Sequence, residues 1–286
     1  MPPASQILNA HDHSRDAAGL AYVYPVVSRR AGGVSIGINL NINNACNWRC
    51  IYCQVPDLQR GGPPPVDTVR LDAELRGFLH EVLHGDFMWQ RVPPEARRLN
   101  DIALSGNGEP TGAREFAQVV GLVGKAMRDF GLLGKIKLVL ITNGSLVGRA
   151  EVQEGLRQMA QLNGEVWFKL DRATAEGMRL VNNVRLGPKQ ALKNLTRATG
   201  LCTTWLQTCM FQIDGQPPSD GERTAYLQFL GEVKQRDLPL RGVLLYGLAR
   251  PSLQPEAVRL SVLPADWLQA LAHDIEAIGF SVKLCA

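Results

Sequence analysis

The sequence predicts an α/β fold, a partial (βα)6 TIM-like barrel, and two observations predict it. Short apolar or β-branched runs alternate along the chain with segments whose apolar residues recur at helical spacing. Repeated strand-then-helix units imply a parallel sheet joined by right-handed crossovers. Polar and glycine-bearing turns then follow one strand candidate after another, as expected where a parallel sheet gathers its ligands at the carboxyl ends of its strands. An open doubly wound sheet would show the same alternation.

The strand candidates are 34–42, 99–105, 136–143, 165–171, 205–213, 241–248 and a short final run at 280–284. Runs such as Val-Ser-Ile-Gly-Ile-Asn-Leu and Ile-Lys-Leu-Val-Leu-Ile-Thr read as strands covered on both faces. Between them, Leu71, Leu75, Phe78, Leu79 and Val82 mark one helical stripe. Phe116, Val119, Val120, Val123, Met127 and Phe130 mark a second. Leu192 and Leu195, then Leu227, Leu230 and Val233, then Trp267, Leu268, Leu271 and Ile275 continue the rhythm. Gly61-Gly62-Pro63-Pro64-Pro65 is a stiff connector. Residues 249–264, with three prolines and little periodicity, are expected to form a loop over the barrel mouth. The organisation expected is an N-terminal arm over 1–25 and one core domain over 26–286.

A chain of 286 residues suits one barrel-type domain, and an apolar fraction of 45% with 20% charged residues is ordinary for a globular core. A net charge of +4 is mild, well short of the basic footprint that signals nucleic-acid binding by itself. Six cysteines in a chain this long do not describe the disulfide framework of a small secreted domain. The first twenty residues carry His11, Asp12, His13, Arg15 and Asp16 rather than an apolar run, so no secretory signal is expected. No stretch reaches the roughly 20 apolar residues that span a bilayer. A reducing cytoplasm, with no membrane contact, is the expected location.

The densest chemistry lies in Ala45-Cys46-Asn47-Trp48-Arg49-Cys50-Ile51-Tyr52-Cys53-Gln54, which follows the first strand candidate. Three thiolates spaced C-x3-C-x2-C can give one ligand each to three irons of a [4Fe–4S] cluster, leaving the fourth iron open to a ligand. A zinc site would need a fourth donor, from Cys202, Cys209, Cys285 or a distant histidine. Those three cysteines show no ligand spacing and read as core, like Met127, Met159 and Met178.

Further stations follow later strands. Gly106-Asn107-Gly108-Glu109 could be a plain strand-to-helix turn, or a backbone able to approach a ligand closely. Asn143-Gly144 reads as a turn opening a helix or as a ligand contact. Lys169 and Asp171 alternate on one strand and so share a face, inward as ligand groups or outward as a solvated ion pair. Arg250 follows the sixth strand, where it could meet an anionic substrate.

The ordered set Val27-Ser28-Arg29-Arg30, Gly37-Ile38-Asn39-Leu40, the cysteine loop, Ser105 to Thr111, and Ile141-Thr142-Asn143-Gly144 resembles the radical S-adenosylmethionine superfamily, over roughly residues 22–260. Within it, the set looks most like the relatives of the wybutosine tRNA-modifying enzyme. The resemblance implies the radical-SAM type of partial barrel. It also implies a [4Fe–4S] cluster on Cys46, Cys50 and Cys53, with S-adenosylmethionine chelated by the open iron. Tyr52 would stand beside the cluster. Gly106, Asn107, Gly108 and Glu109 would line the methionine amino group, Asn143 would lie near the ribose, and Lys169 and Asp171 would hold the carboxylate and a ribose hydroxyl. An external flavodoxin- or ferredoxin-like donor would supply one electron, and the resulting 5′-deoxyadenosyl radical would abstract hydrogen from a small molecule, peptide or RNA. Two features depart from the wybutosine pattern: the extra N-terminal cysteines of its archaeal members are absent, and no dense basic face is present. A metal-binding protein without turnover is the remaining alternative.

Overall fold

The computed structural model describes residues 7–8, 18–28 and 32–285. Arg29 and Arg30, and most of the N-terminal arm, lie outside the described residues. Eight strands form one sheet: β1 (Val23–Ser28), β2 (Gly33–Ile38), β3 (Leu99–Leu104), β4 (Lys137–Thr142), β5 (Glu165–Lys169), β6 (Thr203–Cys209), β7 (Leu240–Tyr246) and β8 (Val282–Cys285). They lie side by side in chain order. Strands β2 to β8 are parallel throughout, and β1 pairs antiparallel with β2, from Val23 opposite Ile38 to Ser28 opposite Gly33. Among the described residues no pairing joins β8 to β1, so the sheet is an open, partial barrel.

The crossovers are helical: α1 (Thr68–His84), α2 (Phe116–Asp129), α3 (Ala150–Gln161), α4 (Ala175–Asn182), α5 (Pro188–Thr199), α6 (Asp220–Gln235) and α7 (Ala265–Ala277). Local chemistry sets their starts. The Asp67 carboxylate accepts from the Arg70 N–H, Thr174 Oγ1 from Gly177 N–H and Ser219 Oγ from Glu222 N–H, each satisfying a donor that the first turn leaves unpaired. The α1 stripe expected from spacing is buried in full. So is the α2 stripe up to Met127; Phe130 falls at the helix C-cap and is only partly covered.

Strand alternation divides the sheet into two faces. One parity, including Ile36, Ile102, Leu140, Val166, Leu206 and Val243, packs beneath the helices in the main core. The other parity includes Asp101, Lys137, Trp167, Lys169, Trp205 and Tyr246, which line interior cavities instead. The strands are therefore not apolar on both faces as their composition suggests: the inward face is largely polar and aromatic.

Three boundaries differ from the sequence expectation. The first run stops at Ile38, because Asn39 turns the chain by accepting from Asn41 N–H on its Oδ1 (3.1 Å), and Asn44 adopts a left-handed φ of 55°. The 205–213 run breaks after Cys209, and Gln212–Ile213 pairs antiparallel with Leu260–Ser261. Strand β1 had no periodic signal; Pro25 interrupts its run and is tolerated at a sheet edge.

Candidate functional site

The cysteine loop crosses the carboxyl end of the barrel and is held from several sides. Arg49 N–H donates to Asn182 O (3.2 Å) and Ile51 N–H to Val181 O (2.9 Å), fastening the loop to the end of α4. Residues 249–264 press on it from above: Ser252 Oγ donates to Ile51 O (2.7 Å), Leu253 N–H to Cys53 O (2.9 Å) and Gln254 Nε2 to Val55 O (2.9 Å). A two-pronged ion pair from Arg49 to Glu256, both bonds 3.0 Å, closes the contact. The segment expected over the barrel mouth is thus a strap on the cysteine loop, with a short 3-10 turn at Pro255–Arg259.

Below the loop lies a cavity of about 320 Å3, within the range of small-molecule sites. Its lining includes all three loop cysteines, Tyr52, the turn from Gly106 to Glu109, Asn143, Lys169 and Arg250. Residues from β1 (Tyr24) through β7 (Tyr246) meet there, so the sheet curls around it. Of the ligand contacts singled out from sequence, Gly144 and Asp171 do not reach the cavity wall.

Asp171 lies behind that wall, 1% exposed. Its Oδ2 accepts from the Tyr52 hydroxyl (2.6 Å) and from Asn182 Nδ2 (2.8 Å), and its Oδ1 from Cys209 N–H (3.0 Å). The Lys169 ammonium donates to the Tyr52 oxygen at 2.7 Å. Burial alone would push the Lys169 ammonium toward its neutral form, but Tyr246 and Asp171 outweigh it and hold it protonated. Burial raises the Tyr52 hydroxyl, so it stays a donor toward Asp171. Lys169 therefore brings a positive charge to the cavity, while Asp171 anchors Tyr52.

Glu109 is 3% exposed, and its carboxylate is fully engaged. Oε1 accepts from Thr111 N–H (3.1 Å), Thr111 Oγ1 (2.6 Å) and Thr142 Oγ1 (2.6 Å), and Oε2 from Asn143 N–H (2.6 Å). It welds the turn after β3 to the turn after β4. Asn143 Nδ2 in turn donates to Asn47 Oδ1 (2.8 Å), tying the second turn to the cysteine loop. Asn107 donates to Asn44 Oδ1 (2.7 Å) and from its backbone to Asn39 Oδ1 (3.0 Å). Its own Oδ1 is buried without a partner among the described residues, an acceptor open to an N–H donor in the cavity.

The two glycines of that turn are needed by the chain itself. A Cβ on Gly108 would sit 2.2 Å from the Ala45 carbonyl, and one on Gly106, at φ 146°, 2.4 Å from Asn39 Oδ1. The close approach is to the cysteine-loop backbone and the turn after β2.

All six cysteines are free thiols. Burial pushes the Cys46 thiol up to about 12 and raises Cys50 as well, so the bare loop holds them neutral. Two N–H donors already point at sulfur: Trp48 N–H to Cys46 Sγ (3.4 Å) and Asn182 Nδ2 to Cys50 Sγ (3.2 Å). Such donors favour anionic, metal-bound sulfur. Among the described residues no three His, Cys, Asp or Glu side chains are gathered for a single metal ion. The three loop thiols do share one cavity. Cys202 is buried in the core as expected, whereas Cys209, also buried, lines the same cavity as the three loop cysteines, and Cys285, partly buried at the end of β8, lines a second cavity.

Asn41 and Asn182 hold the site together yet did not stand out in the sequence, and Asn39 entered only as part of the Gly37-Ile38-Asn39-Leu40 run. The signal for Asn41 was the density of asparagines from Asn39 to Asn47, which supply side-chain bonds where the backbone leaves the sheet; Asn182 had none.

No protein-family model matches the chain. Its curated relatives include a UPF0026 protein of Synechocystis sp., 27% identical over 161 residues, covering 56% of this chain and 52% of that protein. A UPF0026 protein of Methanocaldococcus jannaschii is 29% identical over 164 residues, covering 55% of this chain and 42% of that one. The GTPase Obg of Brachyspira hyodysenteriae is 28% identical over 132 residues, which is 17% of its own length. The chain thus spans about half the length, or less, of the curated relatives it matches. Among solved structures, a radical SAM methyltransferase from Sphaerobacter thermophilus superposes with a TM-score of 0.57 at 13% identity, covering 88% of this chain and 66% of that one. A spore photoproduct lyase variant superposes with a TM-score of 0.53 at 9% identity, covering 84% and 74%. The chain has the fold of these radical SAM enzymes.

Proposed function

We propose that this protein is a radical S-adenosylmethionine enzyme. One observation carries the reading: Cys46, Cys50 and Cys53 share a single cavity with an unpartnered buried acceptor, Asn107 Oδ1, and with the Lys169 ammonium. The three thiols would hold a [4Fe–4S] cluster. When bound, such a cluster supplies the electron that breaks the sulfonium C–S bond of S-adenosylmethionine.

The chain's own residues supply binding and position. Asn107 Oδ1 suits the methionine ammonium, which offers N–H donors. Lys169 suits its carboxylate, and Tyr52 keeps Lys169 in place through the bond to Asp171. Glu109, on the cavity wall and occupied by the two turns, orients Asn143 toward the ligand. The strap over 249–264 covers the loop and limits access to it, and it brings Arg250 to the cavity wall. A flavodoxin- or ferredoxin-like protein would deliver the electron from outside, in a reducing compartment. The narrower likeness to the wybutosine enzyme rests on motif order, and it predicts salt-sensitive tRNA binding.

Anaerobic reconstitution tests the reading. It should yield about four irons per chain, a brown protein, and dithionite-dependent 5′-deoxyadenosine with methionine. Cys50→Ala should lose the iron and the cleavage while keeping its circular dichroism. Cleavage retained in that variant, or a colourless protein carrying one zinc, would overturn the assignment.

A further inference from the structure

A second cavity, of about 270 Å3, is lined by the amino-terminal halves of β3 to β6 and by the carboxyl ends of β7 and β8. It shares a wall with the first, made by Asp101, Trp167 and Tyr246. Whatever occupies it lies directly beside the contents of the cysteine cavity. Its lining is chemically selective. Trp167 and Trp205 are register partners on β5 and β6 and present adjacent indoles, with Val139 and Leu244 as apolar neighbours. Such a surface suits a flat ring.

Two cations and two carboxylates, Asp101 and Glu165, border it, and the cations are not equivalent. Lys137 is neutralised by Glu165 at 3.4 Å and also donates to Asn163 Oδ1 at 3.1 Å. Lys283, on the edge strand β8, has no carboxylate partner among the described residues; its ammonium lies over the Trp205 ring, 4.3 Å from the centroid. Trp205 is 5% exposed, and its Nε1–H is buried with no acceptor among the described residues. A buried donor without a partner is costly to leave unsatisfied. An occupant that offers an acceptor at this wall, and draws Lys283 onto its own negative group, would satisfy both residues together.

We propose that this second cavity binds the molecule on which the enzyme acts, and that this molecule is a small planar anion with a hydrogen-bond acceptor on its ring, of the heteroaromatic carboxylate type. Its role as substrate rests on the proposed function, whereas its binding does not. Trp205 and Lys283 are the specificity-determining residues: Lys283 selects the carboxylate, Trp205 the ring and its acceptor.

The test is calorimetric titration of the cluster-loaded protein with quinoline-2-carboxylate, its neutral carboxamide, and hexanoate. The carboxylate should bind saturably, at least about tenfold tighter than either comparison compound. Lys283→Met should erase the preference for carboxylate over carboxamide. Trp205→Phe should weaken the carboxylate about three- to tenfold, the effect of one lost hydrogen bond. Absence of saturable binding, or affinities that both variants leave unchanged, would overturn the inference. The two readings separate in Cys50→Ala, which should still bind the carboxylate. Binding in a wild-type protein that never cleaves S-adenosylmethionine sinks only the proposed function, and cleavage without binding sinks only this inference.

Discussion

On β3, Asp101 turns its carboxyl into the barrel interior, 6% exposed, where it accepts a hydrogen bond from Ser35 Oγ. Burial pushes this carboxyl up to about 6; the Ser35 bond opposes the shift and Glu165 adds to it. The sign of the consequence follows from proton linkage. Between the ordinary carboxylate value near 4 and about 6, the folded chain binds the proton that the unfolded chain releases, so this group's contribution to stability falls as pH rises through that window. Above about pH 6 the full cost, on the order of 3 kcal/mol, is present; below about pH 4 it is absent. Asp101→Asn removes the titration. In urea melts at pH 4 and pH 7, the variant should gain on wild type by roughly 2–3 kcal/mol between the two values. A constant difference across that range would show that Asp101 titrates normally. Asp171 teaches a related lesson. Its alternation with Lys169 was legible, and both do face away from the main core. Two residues beyond the strand end, however, Asp171 pairs with Tyr52, Asn182 and the Cys209 N–H, and no spacing rule reports partners from three other elements.

At the scale of elements, the site is a set of turns locked to one another. Gly108 shows how tightly: a Cβ there would stand 2.2 Å from the Ala45 carbonyl, a backbone atom that cannot rotate away. Gly108→Ala should therefore cost about 1–3 kcal/mol, the usual penalty of overpacking, and should displace the cysteine loop enough to reduce iron uptake. Gly62, with nothing within 4 Å of its missing Cβ, is the control, and Gly62→Ala should stay within about 0.5 kcal/mol. Equal effects in the two variants, measured by urea unfolding and iron content, would show that the turn is not packed against the loop. The stations after β2, β3 and β4 were legible because each pairs a glycine or cysteine run with the end of an apolar strand. The strap at 249–264 was legible only as a segment without period. Its grip on the loop comes from Ser252, Gln254 and Glu256, ordinary polar residues whose role depends on where the chain happens to pass.

Across the whole molecule, the curled sheet separates stability from chemistry by strand parity. Helices and parallel strands were legible because apolar residues on the outer parity recur in register with the helical stripes. The inner face was not, because Lys137, Glu165, Trp167, Lys169 and Gln207 look like exceptions in an apolar run until the sheet closes around a cavity. Neighbours on β4 make the division measurable. Leu140 is fully buried beneath the helices, whereas Ile141 is partly exposed on the cavity wall. Leu140→Ala should remove about 2–5 kcal/mol of stability, the transfer cost plus that of the void left in a packed core. Ile141→Ala enlarges a space that already exists, so its cost should stay near 1 kcal/mol, with the effect felt in S-adenosylmethionine affinity instead. Denaturant midpoints and ligand titrations on the pair decide the matter. Comparable destabilisation by both substitutions would mean that the inner face is packed like the outer one, leaving no room for a ligand between the cysteine loop and the barrel floor.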